Sequence, residues 1–257
     1  MTIDFSDIRV SLGGRGILHG VSVQALPGRV TGIIGPNGCG KSTLLKTLFS
    51  IVPKQSGAIF LDGRDISTMS RRDVAAAVGY VGQEIPCVFD FSARDIVGMA
   101  LYARKGVRRA ERDRIIDGAL ADVGMLPLAG RSILTLSGGE RKMVFVARAL
   151  AQGVDTIVLD EPTNHLDIRH QLFILDYLRK SGKTILIVLH DLRLASYFCD
   201  SVYLLRDGAN LASGAPLEVL NPDTVKRAFG ISGYAHLTEE QTPDFFIHFN
   251  SEGMDLS

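Results

Sequence analysis

Charge of one sign is not in excess in this 257-residue chain, where 28 Lys and Arg balance 28 Asp and Glu. With no global field to gather it, nucleic acid is not an expected partner. Cysteines are few: Cys39, Cys87 and Cys199 lie far apart, are odd in number and form no Cys-x-x-Cys pair. That pattern disfavours a disulfide framework and a zinc site, and it fits a reducing compartment. Long apolar runs are missing too; Ile185–Leu189 and its like fall far short of the roughly 20 residues that span a bilayer. Asp4 and Asp7 come early with no apolar h-region, which argues against a signal peptide. No internal repeat, low-complexity tract, long Pro/Gly linker or sustained heptad pattern divides the chain. A soluble cytoplasmic module is expected.

What is present is a pair of stretches suited to holding phosphate, Gly35-Pro36-Asn37-Gly38-Cys39-Gly40-Lys41-Ser42-Thr43 and Leu136-Ser137-Gly138-Gly139-Glu140. Each sits where a helix should begin, so each can aim backbone N–H groups and the positive end of a helix dipole at an anion. One chain with a single acidic pair has little use for two cradles at one nucleotide, and two chains sharing their nucleotides would resolve the mismatch. The first stretch fits Gly-x-x-x-x-Gly-Lys-[Ser/Thr], after a strand at 29–34 and before a helix at 42–49. Gly38 and Gly40 let the loop wrap phosphates, Lys41 would reach the β- and γ-phosphates, and the Ser42 hydroxyl would ligate Mg²⁺. Cys39, near that helix end and Lys41, is expected to have its thiolate form favoured. The second stretch also reads as a plain N-cap, with Ser137 and Glu140 forming a capping box; both readings can hold.

Thr156–Leu159 is a buried-type strand ending in Asp160-Glu161. Asp160 could hold Mg²⁺ while Glu161 polarises an attacking water, or the pair could be an exposed acidic turn. A second such strand, 184–189, ends in His190-Asp191. Ligands gather at the carboxyl ends of parallel strands, so His190 can meet a γ-phosphate; alone it would read as a surface histidine. Gln83 ends a third strand at 78–82 and offers an amide oxygen to metal or water, though a solvent-facing glutamine is the plainer reading. Helical spacing at 92–102, 109–123 and 137–152, with breaks at Gly106 and Gly130, marks an insertion at about 92–152 into a parallel sheet. The pieces 3–10 and 16–23 alternate like antiparallel strands around Gly13-Gly14. A short helix at 192–199, a strand at 201–206 and a turn at Asp207-Gly208 follow. Beyond Gly230 no fold is assigned.

Taken together these residues resemble the ATP-binding subunit of ABC transporters over residues 3 to 230, in the order of the phosphate loop, Gln83, Leu136–Glu140, Asp160-Glu161-Pro162, Asp167 and His190. The resemblance implies an α/β P-loop NTPase core with a mostly parallel sheet, an N-terminal antiparallel β-subdomain and an inserted α-helical subdomain, all within one ATPase domain at 1–230. It implies ATP and Mg²⁺ as cofactors, Ser42, Gln83 and Asp160 at the metal, and Glu161 and His190 in catalysis. It also implies a head-to-tail homodimer in which Ser137, Gly138 and Gly139 touch the partner's γ-phosphate, with Gln83 and Asp167 serving dimer contact and coupling. The segments Glu161–Asp167, Leu189–Ala195 and Gly214–Leu220 look like importers of iron-siderophores, haem and cobalamin. Their resemblance implies a cytoplasmic ATPase homodimer, peripheral on the cytoplasmic face of the inner membrane, bound to a membrane-embedded permease that an extracytoplasmic binding protein feeds. The alternative is a soluble ABC ATPase of iron-sulfur cluster assembly. A GTPase would need Asn-Lys-x-Asp, and His165 stands where Lys is required.

Two further expectations concern surfaces. The apolar 85–91 segment, with Val88, Phe89 and Phe91, packs in the helical insertion or receives a membrane-subunit helix, the first being favoured. The basic run 104–109 with Arg112 and Arg114 faces lipid headgroups or a partner, or is a solvated helix face; the last is favoured because Glu111 and Asp113 are interleaved. Leu12 occupies the position where the family usually stacks an aromatic ring on adenine, so base discrimination should be modest.

Overall fold

A computed structural model describes residues 1–83, 89–102, 104 and 106–248. Cys87 and Val88, with 85–86, lie outside the described residues. The chain forms two compact units, Met1–Thr68 with Leu186–Ser257, and Met69–Ile185.

In the first unit β1 (Ile3–Leu12) and β2 (Arg15–Ala25) pair antiparallel around Gly13-Gly14, both at positive φ. β3 (Val30–Ile34) is buried along its whole length and α1 (Lys41–Leu48) follows it. β4 (Ser56–Leu61) and β5 (Arg64–Asp65) complete a sheet of order β2-β1-β4-β5. The buried positions of β1 change parity, from Ile3 and Phe5 to Ile8 and Val10. A register shift after Phe5, with Asp7 at φ 49°, inserts the extra residue. Without that bulge, Ile8 and Val10 would turn to solvent.

The second unit opens with α2 (Arg71–Ala77), capped by Ser70, and β6 (Gly79–Val81). α3 (Ala93–Gly98), α4 (Arg109–Asp122) and α5 (Gly138–Ala151) then pack on one another as the helical insert. Ser92 begins α3 with a capping box closed by Asp95. β7 (Thr156–Asp160), fully buried, runs parallel to β6 in the register Gly79↔Ile157 and Val81↔Leu159. α6 (Ile168–Lys180) starts at an Asp167 cap.

β8 (Thr184–Val188) carries the chain back into the first unit. α7 (Leu192–Phe198) is capped by Asp191, and β9 (Ser201–Arg206) pairs parallel with β3. Asp207 and Gly208, at φ 48° and 74°, supply the two left-handed residues of a tight hairpin turn into β10 (Ala209–Gly214). Two short helices, α8 (Pro216–Val219) and α9 (Pro222–Phe229), precede the antiparallel hairpin of β11 (Ser232–Leu237) and β12 (Pro243–His248). That hairpin packs on α7 and α9. Arg193 Nε and Nη2 donate to the two oxygens of Asp244 at 2.6 and 2.9 Å, which holds the carboxyl down to about 2. Among the described residues no helix is long and apolar enough to cross a membrane.

Candidate functional site

The phosphate loop leaves β3 at Gly35, whose φ of 147° and surroundings demand glycine: a Cβ there would lie 2.1 Å from the Leu205 carbonyl oxygen. Gly40, at φ 101°, caps α1 and has no side chain to offer the helix end. The positive end of the α1 dipole therefore faces the loop rather than a capping oxygen. Lys41 is buried and folds its ammonium back over the loop, donating to the Gly35 and Pro36 carbonyls at 2.8 Å each. An anion entering the loop would exchange these neutral acceptors for charged oxygens. In the same unit the Leu189 N–H donates to the Ile33 carbonyl at 3.1 Å, so His190, exposed, leaves the sheet at the carboxyl edge from which the phosphate loop departs.

The thiolate expectation for Cys39 is corrected. The side chain is buried, and burial pushes the thiol up, outweighing the lowering by Lys41. Desolvation disfavours the charged form more than one nearby ammonium restores it.

In the second unit Asp160 ends β7 with no exposed surface, and Glu161 follows at 5% exposure with a left-handed φ of 51°. Such a conformation in a non-glycine residue costs on the order of 1 kcal/mol or more and turns the side chain off the strand's path. Two amides then fix it: Gln83 Nε2 and Asn164 Nδ2 donate to Glu161 Oε2 at 2.7 and 2.6 Å. The Gln83 amide nitrogen thus helps to position the carboxylate. Burial and then the Asp160 charge push the Tyr80 phenol up to about 12.

Two contributors went unread. Asn164 stands three residues after Glu161, and its N–H donates to the Glu161 carbonyl at 3.4 Å across a turn, which brings the two side chains together. Lys142 is the other. It sits in the buried stretch of α5 and donates to the carbonyls of Gly82 and Gln83 at 2.9 and 3.0 Å, with Asp160 O at 3.5 Å. One ammonium thus ties the helix opened by Leu136–Glu140 to the backbone beside both Gln83 and Asp160. The signal was a lysine among Met143, Val144, Phe145 and Val146, where an apolar residue belongs. Lys142→Met removes the donor from buried carbonyls and is expected to destabilise the protein by about 1–3 kcal/mol, read as a lower urea midpoint with unchanged slope.

At the second glycine stretch Leu136 is buried and Ser137 exposed. The capping box is formed: Glu140 N–H donates to Ser137 Oγ at 3.2 Å, and Ser137 N–H to Glu140 Oε2 at 2.8 Å. The latter bond chiefly holds the Glu140 carboxyl below its ordinary range. A Cβ on Gly139 would come within 3.2 Å of His165 O, so this helix end abuts the turn leading to Asp167. Asp167 caps α6, accepting from the His170 N–H at 2.8 Å, and its pKa is lowered by that bond and by the His170 ring.

The expectation that Phe89 and Phe91 pack in the insert is corrected as well. They are 70% and 39% exposed, with ring centroids 6.1 Å apart. Phe91 spends its backbone instead, its carbonyl accepting from Ile133 N–H at 2.8 Å, which leaves the ring at the surface. Leu12 is 43% exposed.

Comparison with known proteins agrees with this layout. A family model described as ABC transporter matches residues 18–164. The chain is 37% identical over 237 residues to the iron(3+)-hydroxamate import ATP-binding protein FhuC of Bacillus subtilis (strain 168), covering 90% of this chain and 88% of that one. It is 39% identical over 236 residues to the hemin import ATP-binding protein HmuV of Rhizobium meliloti (strain 1021), covering 88% and 90%. The structure of cbiO1 from Clostridium perfringens, part of the ABC transporter complex cbiONQ, matches with a TM-score of 0.75 at 29% identity, over 88% of this chain and 92% of that one. The α/β fold, with parallel β3–β9 and β6–β7 pairs, an antiparallel N-terminal sheet and a helical insert, is shared with these cassettes. With a family model spanning more than half of its length and relatives aligned nearly end to end, the chain belongs to the ABC transporter family.

Proposed function

We propose that this chain is the ATP-hydrolysing subunit of a membrane importer of the iron-siderophore, haem or cobalamin type, with residues 1–230 as one ATPase domain. The observation that carries the hydrolytic part is Glu161, buried, left-handed and gripped by two amides on one oxygen. A carboxylate so fixed is suited to orient and deprotonate a water, and a purely nucleotide-binding module has no need of it. The import class is supported by the relatives, which are import ATP-binding proteins for iron(3+)-hydroxamate and hemin, and by the three segments that resemble that branch.

In this reading Gly35–Thr43 wrap the ATP phosphates, with Lys41 on the terminal ones, while His190 contacts the γ-phosphate and Glu161 takes the water's proton. The hydroxyl of Ser42, the carboxylate of Asp160 and the amide oxygen of Gln83 are the hard oxygen donors that suit Mg²⁺. Such a cation would neutralise charge on the β- and γ-phosphates. Ser137, Gly138 and Gly139 serve the ATP of a second copy, and Gln83 and Asp167 couple the two copies. ATP draws the chains together and hydrolysis lets them part, a motion read by the membrane subunits. Exposed Phe89 and Phe91 form part of the surface offered to those subunits. An extracytoplasmic binding protein completes the system, and the chain works at the cytoplasmic face of the inner membrane.

The test is to capture the tagged chain from detergent-solubilised membranes. A polytopic membrane subunit is expected to accompany it. A soluble scaffold partner in its place would favour iron-sulfur cluster assembly.

A further inference from the structure

The second unit carries a cationic patch for which the nucleotide chemistry has no use. Arg104, Arg108, Arg112 and Arg114 lie before and along the start of α4. Interleaved acids make this stretch look like an ordinary solvated face, yet one of the two, Asp113, is paired outside it. Asp113 Oδ1 accepts from Arg94 Nη1 of α3 at 2.9 Å, and Arg94 also grips Asp117. Glu111 Oε2 accepts the Arg108 backbone N–H at 3.3 Å, closing the first turn of α4. Among the described residues Arg104, Arg108, Arg112 and Arg114 have no ion-pair partner.

Beside them Tyr102 is 77% exposed, its ring centroid 5.8 Å from the Arg112 guanidinium carbon. A separate cavity of about 250 Å³ on the same stretch of chain is lined by Arg104, Arg114 and Glu111, among others. Guanidinium groups match phosphate oxygens in planar, two-bond geometry, and an amphipathic ring favours the headgroup level of a bilayer.

We propose that this patch binds the anionic phospholipid headgroups of a membrane surface. The whole chain is neutral, so the attraction is confined to the region around the start of α4 and would orient the protein as well as hold it. A single exposed aromatic ring is not the series of stacking platforms that single-stranded nucleic acid requires. The contact is independent of ATP hydrolysis.

The test uses the purified full-length chain without membrane subunits, floated with vesicles of phosphatidylcholine alone or mixed with phosphatidylglycerol. It is expected to float with the mixed vesicles only and to detach at high salt. Combining Arg108→Gln, Arg112→Gln and Arg114→Gln should lower partitioning by about a hundredfold, at roughly fivefold per arginine. The same three positions changed to Lys should keep most of the binding, and an unchanged circular dichroism spectrum shows that the Gln variant is folded. Equal flotation with both vesicle types would overturn the proposal, as would a Gln variant that floats like the parent. Release by inorganic phosphate at constant ionic strength would mean a free-phosphate site, and tighter binding of a single-stranded RNA oligomer a nucleic-acid site; either result also overturns it.

Discussion

Glu161→Gln is expected to abolish ATP turnover and to leave a persistent ATP-bound dimer. The two side chains have nearly the same shape, so the left-handed backbone at Glu161 and the packing around a residue with 5% exposure need not change. Placed where Oε2 stands, the amide oxygen can still accept from both donors, Gln83 and Asn164, that meet there. What disappears is a basic site for the water's proton, and general-base catalysis is worth about 10²–10⁴ in rate. Binding of ATP, which the proposal assigns to the phosphate loop, is untouched, so the nucleotide stays in place and the dimer stays closed. Phosphate release measures the first effect, and size-exclusion chromatography in saturating ATP and Mg²⁺ measures the second. Turnover within tenfold of the parent would remove Glu161 from the role of base. A monomeric elution of the variant under those conditions would remove the dimer from the cycle. Gln83→Ala should do less, because Asn164 still orients the carboxylate and Ser42 and Asp160 still serve the cation; a loss as large as that of Glu161→Gln would make the Gln83 amide indispensable to the cation or to coupling.

The parts of this fold that could be read from sequence are those whose signal is local. β3, β7 and β8 are buried on both faces and appear as unbroken apolar runs. α5 announces itself by the capping box of Ser137 and Glu140 and by the apolar run behind it. α6 was not legible: Ile168, Leu172 and Phe173 are exposed at 74%, 44% and 46%, so its apolar residues do not mark the buried face of Ile174, Leu175 and Leu178. The β11–β12 hairpin was silent because its strands gain their stability by docking on α7 and α9 and by the Arg193–Asp244 pair, 51 residues apart in sequence. At the site, residue types and order were legible, but conformation was not. Nothing in Asp160-Glu161-Pro162 encodes the left-handed turn that brings Glu161 under Asn164 and Gln83. Cys39 failed for a related reason: its neighbours in sequence are a cation and a helix end, while its burial depends on residues distant in the chain.

A mixture of two inactive proteins, one carrying Lys41→Ala and the other Ser137→Arg, is expected to hydrolyse ATP. Lys41→Ala removes the ammonium that closes on Gly35 and Pro36, and with it the grip on the terminal phosphates of the chain's own nucleotide. Ser137→Arg removes the oxygen that caps α5, at about 1 kcal/mol, and places a long side chain where the proposal puts the partner's γ-phosphate. Each homodimer then carries its lesion at both nucleotides. In a head-to-tail heterodimer the two lesions meet at one nucleotide, and the other has an intact loop facing an intact Leu136–Glu140. Mixing before ATP is added should therefore restore turnover, with the maximum at equal amounts of the two chains. Recovery also answers the objection that Ser137→Arg merely unfolds the protein, because the restored site uses that chain's own phosphate loop. If the mixture stays as inactive as its components while each still binds ATP, the nucleotide is not shared between copies and the pairing of loop with opposing Ser137 has to be abandoned.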